Sequence, residues 1–352
     1  MSKPQSVCIL RLSALGDCIN AFGMAGAIKH QDPDVDVTMV IDKRFAPLFT
    51  DEQNKDLIPM LQVNFKERGL KAALDLKQDL KKQAQAGQDS FDVLLNMQTS
   101  IKASLCSLMI KAQDKYGYDK ERSREMHSWF INHKVKSPSN PHVLAGFIAF
   151  AKECGLPIDK PIWDFKLDPF LIDKVSCMVN HERIFAICPC SAKAQKNWTV
   201  DGYAQMARYA QEKGLQVVLL GGGNDFEKQV CADIAQKCDN VINMCGRTNL
   251  RELAAMLKIS KLVLSPDSGS MHLAQAVGTP VIGLFAVHND ERVGPWNFSE
   301  LNVSVYKDLA LKELKGDTIP WRYRVRDEHA MQHISVDMVK ASFDKALQMH
   351  HI

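Results

Sequence analysis

Asp267, Ser268, Gly269 and His272 stand together where one element ends and another begins. The apolar run Leu262-Val263-Leu264 stops at Ser265-Pro266, Asp267-Ser268-Gly269-Ser270 supplies turn and N-cap chemistry, and residues 271–277 have helical composition closed by Gly278 and Pro280. A strand feeding a helix in this way leaves free backbone N–H groups at the helix start. Together with roughly half a positive charge from the aligned peptide dipoles, those groups favour a phosphate beyond the carboxyl end of the strand. His272, one turn into the helix, would reach the same ligand. An ordinary βα turn of an α/β domain has the same pattern, so the segment alone leaves both readings open.

Asp17 follows Gly16 on the first strand-to-helix turn, where a carboxylate could take a proton from an incoming hydroxyl. An N-cap is the other use of an aspartate there. Residues 191–198 (SAKAQKNW) follow a strand end and offer Ser191, two lysines and an indole. Lys196 could neutralise a departing diphosphate, or the segment could be a solvated loop with a packing tryptophan. Gly221-Gly222-Gly223 is phosphate-loop-like but matches neither GxGxxG nor GxxxxGK[ST]. Glu227 could accept from a ribose hydroxyl, although helix glutamates are usually surface residues. Lys102, Arg124 and His142 lie near loop or helix starts of the first half and could form an anion-accepting pocket, while isolated basic residues are commonly just solvated. GxSxG and HExxH do not occur, which leaves hydrolase readings by those routes unsupported.

These residues must be held by alternating elements. The first half predicts strands over 7–12, 35–41 and 91–96, helices over 19–30 and 142–154, a polar surface helix over 66–88, and a helix carrying Lys102. Pro138 to Pro141 breaks the chain, and Pro157, Pro161 and Pro169 mark a linker poor in regular structure. The pattern then restarts with strands over 184–188 and 216–220 and near Val241, and helices over 201–213, 225–237 and 249–258. Strands alternating with helices in both halves imply an α/β fold of two Rossmann-like, doubly wound parallel-sheet domains. Ligands would lie beyond the strands' carboxyl ends, in a cleft between two facing loop edges. The expected divisions are 1–165, 166–334 and a C-terminal helix in 335–352.

Composition narrows the class. A chain of 352 residues suits two domains, and 24% charged residues with a net charge of +3 indicate neither disorder nor a nucleic-acid partner. The ten cysteines sit mostly in apolar runs, as reduced buried thiols do; Cys188 and Cys190 flank Pro189, but no second pair accompanies them at zinc-site spacing, so no metal is expected. The N-terminal apolar run is interrupted by Arg11 and is neither a signal peptide nor a spanning helix. A cytoplasmic protein is the expectation.

Three stretches together resemble the ADP-heptose:lipopolysaccharide heptosyltransferases, inverting glycosyltransferases of GT-B architecture. They are residues 9–17 (ILRLSALGD); Lys196-Asn197-Trp198 with residues 217–222 (VVLLGG); and residues 265–274 (SPDSGSMHLA) with Gly278-Thr279-Pro280 and Arg292-Val293-Gly294-Pro295. The loop before the lysine, residues 190–195, departs from the tryptophan- or proline-rich pattern common in relatives. The resemblance implies Asp17 as general base, and Lys196, Asp267, Ser268, Gly269 and His272 at the donor diphosphate and sugar. Ser191 would contact a donor phosphate and Glu227 the ribose. Lys102, Arg124 and His142 would serve the acceptor. Residues 98–102 and Ser123-Arg124-Glu125 look most like the branch that adds the first heptose, heptosyltransferase I. The implied donor is ADP-heptose and the acceptor a Kdo-lipid A type inner core, met by peripheral contact with the inner membrane, with no cofactor. A UDP-sugar epimerase of the same architecture, or a nucleotide-sugar-binding protein without activity, are the alternatives.

Overall fold

The computed structural model describes residues 3–85, 90–124, 126–179 and 181–352. The chain divides into two compact units, Met1–Lys166 and Leu167–Ile352. In the first, the order is β1 (Ser6–Leu10), α1 (Leu15–Gln31), β2 (Asp36–Asp42), β3 (Met60–Val63), α2 (Phe65–Arg68), α3 (Lys71–Gln85), β4 (Phe91–Asn96), α4 (Ile101–Met109), β5 (Ala112–Tyr118), β6 (His133–Val135) and α5 (Val143–Glu153). These strands form one parallel sheet ordered β3-β2-β1-β4-β5-β6.

The second unit runs α6 (Pro169–Val179), β7 (Ile184–Ile187), α7 (Val200–Glu212), β8 (Gln216–Leu219), α8 (Asp225–Gln236), β9 (Ile242–Asn243), α9 (Leu250–Ile259), β10 (Leu262–Pro266), α10 (Gly269–Ala276), β11 (Val281–Phe285), α11 (Asp290–Val293), β12 (Val303–Ser304), α12 (Tyr306–Leu314) and α13 (Val336–His350). Its parallel sheet is ordered β12-β11-β10-β7-β8-β9. Counted from its own first strand, that is the same doubly wound order as the first unit.

The central strands are largely apolar because helices cover both sheet faces: every residue of β7, β10 and β11 is buried. The helices are amphipathic to match. In α7, Tyr203, Met206, Ala207 and Ala210 form the i, i+3, i+4, i+7 stripe that enters the core. Asn249 caps α9, accepting from Glu252 N–H, while the Glu252 carboxylate returns to Asn249 N–H at 2.9 Å.

Four expectations need revision. The 66–88 helix is broken: α2 stops at Gly69, which takes φ 54°, and α3 restarts at Lys71; residues 86–88 of that expectation lie outside the described residues. Helix α1 begins at Leu15, four residues before the expected start. The segments β3, β5 and β6 were not anticipated, being short or, as in Ala112–Tyr118, polar. The proline-marked region is ordered at both ends. Pro169 opens α6, with Asp168 accepting from Leu171 N–H at 2.7 Å. Upstream, Ile162 N–H donates to Gly23 O at 2.9 Å and Trp163 Nε1–H to Ile19 O at 2.8 Å. This strap lies flat on α1 because Gly23 has no side chain. The C-terminal helix packs on α7, where Phe343 meets Phe185 and Tyr209 edge to face.

A Cβ at Gly23 would stand 2.4 Å from the Trp163 ring. Alanine gains about 1 kcal/mol of helix propensity, but overpacking costs about 1–3 kcal/mol, so Gly23→Ala is expected to lower the melting temperature. In a Trp163→Ala background the same change is expected to raise it. Melting curves of the four proteins check this, and additive shifts would contradict the packing account.

Candidate active site

Each sheet reverses its winding between its first and fourth strands, and the loops leaving those two strands diverge to form a crevice at their carboxyl ends. In the first unit these are the loops after β1 and β4, which lead into the first turns of α1 with Asp17 and of α4 with Lys102. In the second they are the loops after β7 and β10, carrying Ser191 to Lys196 and Asp267 to His272. Topology alone thus brings the sequence-predicted donor residues to one place, except Glu227, which lies on α8 after β8.

Asp267 is the centre of that place. Lys196 Nζ donates to Asp267 O at 2.6 Å and to Asp267 Oδ2 at 3.0 Å, and His288 Nδ1 lies 2.6 Å from the same Oδ2. All three side chains are close to nine-tenths buried. Burial works to raise the Asp267 pKa, but the His288 hydrogen bond and the charges of Lys196, His288 and His272 outweigh it and hold the carboxyl well below the usual range. For His288 the balance goes the other way: burial dominates, and with Lys196 and Arg324 it pulls the ring below its ordinary value despite Asp267.

Helix α10 starts beside this cluster. Ser268 is its N-cap, its hydroxyl accepting from Met271 N–H at 3.3 Å and lying 2.9 Å from Ser265 Oγ. Among the described residues no hydrogen bond is made by the N–H groups of Gly269 and Ser270, which stay available to an anion. His272 is buried on the next turn.

Ser191 differs from expectation in its local role. Its hydroxyl donates to Lys193 O at 2.9 Å and accepts from Lys193 N–H, and Asn197 Oδ1 takes its N–H at 2.7 Å, so Ser191 shapes the loop that carries Lys193 and Lys196. Trp198 is a packing residue, its indole bonded to Ile334 O. Glu227 Oε2 accepts from Gly223 N–H at 3.0 Å. The glycines there serve close packing: Gly223, at φ 86°, would with a Cβ come within 2.5 Å of Gly246 Cα.

In the first unit Ala14, not Asp17, is the N-cap of α1. Asp17 sits at the third helical position, where its Oδ2 takes Ala14 N–H at 3.2 Å and pairs with the Arg11 guanidinium. Arg11 also donates to Met97 O and lies over the Phe147 ring. Gln98 ties the loops after β1 and β4 together: its Oε1 accepts from Leu12 and Ser13 N–H at 2.8 and 3.2 Å, and its Nε2 donates to Ser13 and Ser100 hydroxyls. Lys102 lies in the first turn of α4, after β4, while Arg124 and His142 fall on the loops after β5 and β6. Lys102 is exposed and lies over the Phe65 ring, Arg124 is exposed, and His142 caps α5 by accepting Leu144 N–H on Nδ1 at 3.0 Å. Glu125, part of the same expectation, lies outside the described residues.

Residues 77–319 match the family model of glycosyltransferase family 9 (heptosyltransferase). The chain is also 37% identical over 346 residues to the lipopolysaccharide core heptosyltransferase OpsX of Haemophilus influenzae, covering 97% of both proteins. The chain belongs to glycosyltransferase family 9. Its fold is that of solved relatives: a family 9 glycosyltransferase from Veillonella parvula (TM-score 0.74, 17% identity, 98% of this chain and 97% of that one) and Escherichia coli heptosyltransferase WaaC with ADP (TM-score 0.71, 17% identity, 97% and 99%). This family 9 enzyme is therefore a glycosyltransferase of GT-B architecture, and the epimerase and inactive-binder alternatives are not favoured.

None of Arg11, Gln98, His288 and Arg324 is given a site role by the sequence. Two carried a signal: Arg11 interrupts an apolar strand, and His288 follows one within three residues.

Asp267 and His288 both have folded pKa values below their unfolded ones, so each contributes stability at neutral pH that is lost as pH falls. For His288 the loss begins below about 6.5, where the unfolded ring binds a proton that the folded one refuses. Melting temperature is therefore expected to fall between about pH 7 and pH 5.5 more steeply for wild type than for His288→Asn. Parallel curves would contradict the burial argument.

Proposed function

We propose that this enzyme moves a heptose from ADP-heptose to the Kdo inner core of lipopolysaccharide, with inversion at the anomeric carbon. The observation that carries the donor side is the Asp267 cluster beside the start of α10. Two of the three Lys196 donors are spent on Asp267, which orients the third toward an added anion. Gly269 and Ser270 N–H groups supply further donors, while Ser268 and His272 hold the helix start. Glu227 would meet the ribose, and Ser191 would act through the shape of its loop. The relatives support the substrates: one is a lipopolysaccharide core heptosyltransferase and another a heptosyltransferase holding ADP.

Asp17 is the base. Both of its hydrogen bonds fall on Oδ2, which leaves Oδ1 to take the proton of the acceptor hydroxyl. As that proton leaves, the hydroxyl oxygen bonds to the anomeric carbon from the face opposite the diphosphate. The carbon–oxygen bond to the diphosphate breaks, and ADP departs with the electron pair. Lys196 and the α10 N–H groups stabilise the charge that develops on it. Lys102, Arg124 and His142, at one sheet edge, would meet the acidic acceptor sugar. No helix among the described residues is long and apolar enough to cross a membrane; peripheral contact at the inner face of the inner membrane would bring the enzyme to a lipid-linked acceptor.

In a transfer assay with ADP-heptose and Kdo-lipid A, Asp17→Asn is expected to lower kcat about a hundredfold or more while ADP affinity holds. Lys196→Ala is expected to lose about a hundredfold in kcat and to weaken donor binding as well. Near-normal transfer by Asp17→Asn would sink the base assignment, and a wild-type enzyme indifferent to ADP-heptose would sink the donor.

A further inference from the structure

The chemistry above makes no use of His288, although that side chain is only 10% exposed and touches Asp267. Its Nδ1 is satisfied by the carboxylate at 2.6 Å; its Nε2 is buried and has no hydrogen-bond partner among the described residues. A neutral imidazole carries one N–H and one lone pair. With the N–H on Nδ1, the lone pair of Nε2 is left bare in the interior, an arrangement that costs free energy until a ligand completes it.

The surroundings say what kind of ligand. The charges bearing on the ring are Asp267 from the loop after β10, Lys196 from the loop after β7, and Arg324 from the chain after α12. That last stretch is fixed alongside by Val325 N–H to Val287 O at 3.0 Å. Lys193 joins the same group: its pKa is pulled down first by Arg324, then by burial and Lys196. His272, on α10, acts on Asp267 from the other side. Among the described residues, the charges acting on His288 and Lys193 are thus several cations and a single carboxylate, Asp267, and the site is short of negative charge.

Building on the donor reading above, we infer that His288 takes up a proton from solvent when the donor diphosphate binds, so that Nε2–H donates to a phosphate oxygen while Nδ1–H stays on Asp267. The bound anion supplies the charge that the empty site lacks, and the bare nitrogen becomes a charge-assisted donor. When ADP leaves, the proton leaves with it. Donor affinity then depends on pH through a residue that takes no part in bond making.

Calorimetry of ADP binding to the whole chain, at about pH 6 and about pH 8 and in buffers of different ionisation enthalpy, tests this. Asparagine places an amide N–H where Nδ1 stands, so His288→Asn keeps the Asp267 bond but cannot take a proton. ADP has its own titrating phosphate, which is common to both proteins, so the difference between them is decisive. Wild type is expected to weaken about tenfold more than His288→Asn as pH rises and to absorb more proton on binding. In wild type alone, the ring carbon and nitrogen resonances of His288 near pH 7 are expected to change from the neutral to the imidazolium form when ADP is added, a readout that needs no variant to fold. Equal pH dependence in the two proteins, or a ring that stays neutral with ADP bound, would overturn the inference while leaving the donor reading intact. A wild-type chain that binds no ADP at either pH would overturn both.

Discussion

One buried carboxylate organises the second unit. Asp267 accepts from Lys196 and His288 on a single oxygen, and the Lys196 cation could not be held in so dry a place without it: an ammonium moved out of water loses several kcal/mol of solvation that only a close opposite charge and further hydrogen bonds return. The constraint reaches outward. Lys196 needs the loop after β7 bent by Ser191 and Asn197, Asp267 needs β10 to end at Pro266, and His288 needs β11 beside β10. Three loops from adjacent strands are fixed by one charge, and the start of α10 is delivered to the same spot.

The first unit repeats the device with the signs exchanged. There a buried guanidinium, Arg11, is the hub, held by Met97 O, the Phe147 ring and the Asp17 carboxylate. It occupies one oxygen of Asp17 and so orients the other. Gln98 locks the two loops on which this depends, through four hydrogen bonds to residues on both sides of the switch point. In each unit the candidate site residue is placed by a partner from the same sheet edge, and the doubly wound order decides which loops can supply that partner.

Much of this was legible in the sequence because it is local. The apolar runs of β4, β7, β10 and β11, the Ser268 cap and the glycine stop after α10 are each written within a few residues, and they located Asp17, Lys196 and Asp267 at loop edges. Other features were hidden because their causes are distant. Polar Ala112–Tyr118 becomes a strand only because β4 and β6 flank it. The proline-rich stretch is ordered by Gly23 and Ile19, more than a hundred residues earlier. Lys196 and Asp267 are 71 residues apart, and His288 joins them from a third loop, so their pairing is a property of the fold. Ser191 and His142 show the converse: polar residues near a site that the backbone has claimed for a turn and a cap.

The central claim is that the Asp267 cluster receives the anion of the donor. A crystal structure of the chain soaked with ADP tests it most directly. The account predicts a phosphate oxygen within about 3 Å of both Lys196 Nζ and His288 Nε2, with the Gly269 and Ser270 N–H groups facing the diphosphate. Phosphates bound on another loop, with Lys196, Asp267 and His288 untouched, would contradict it.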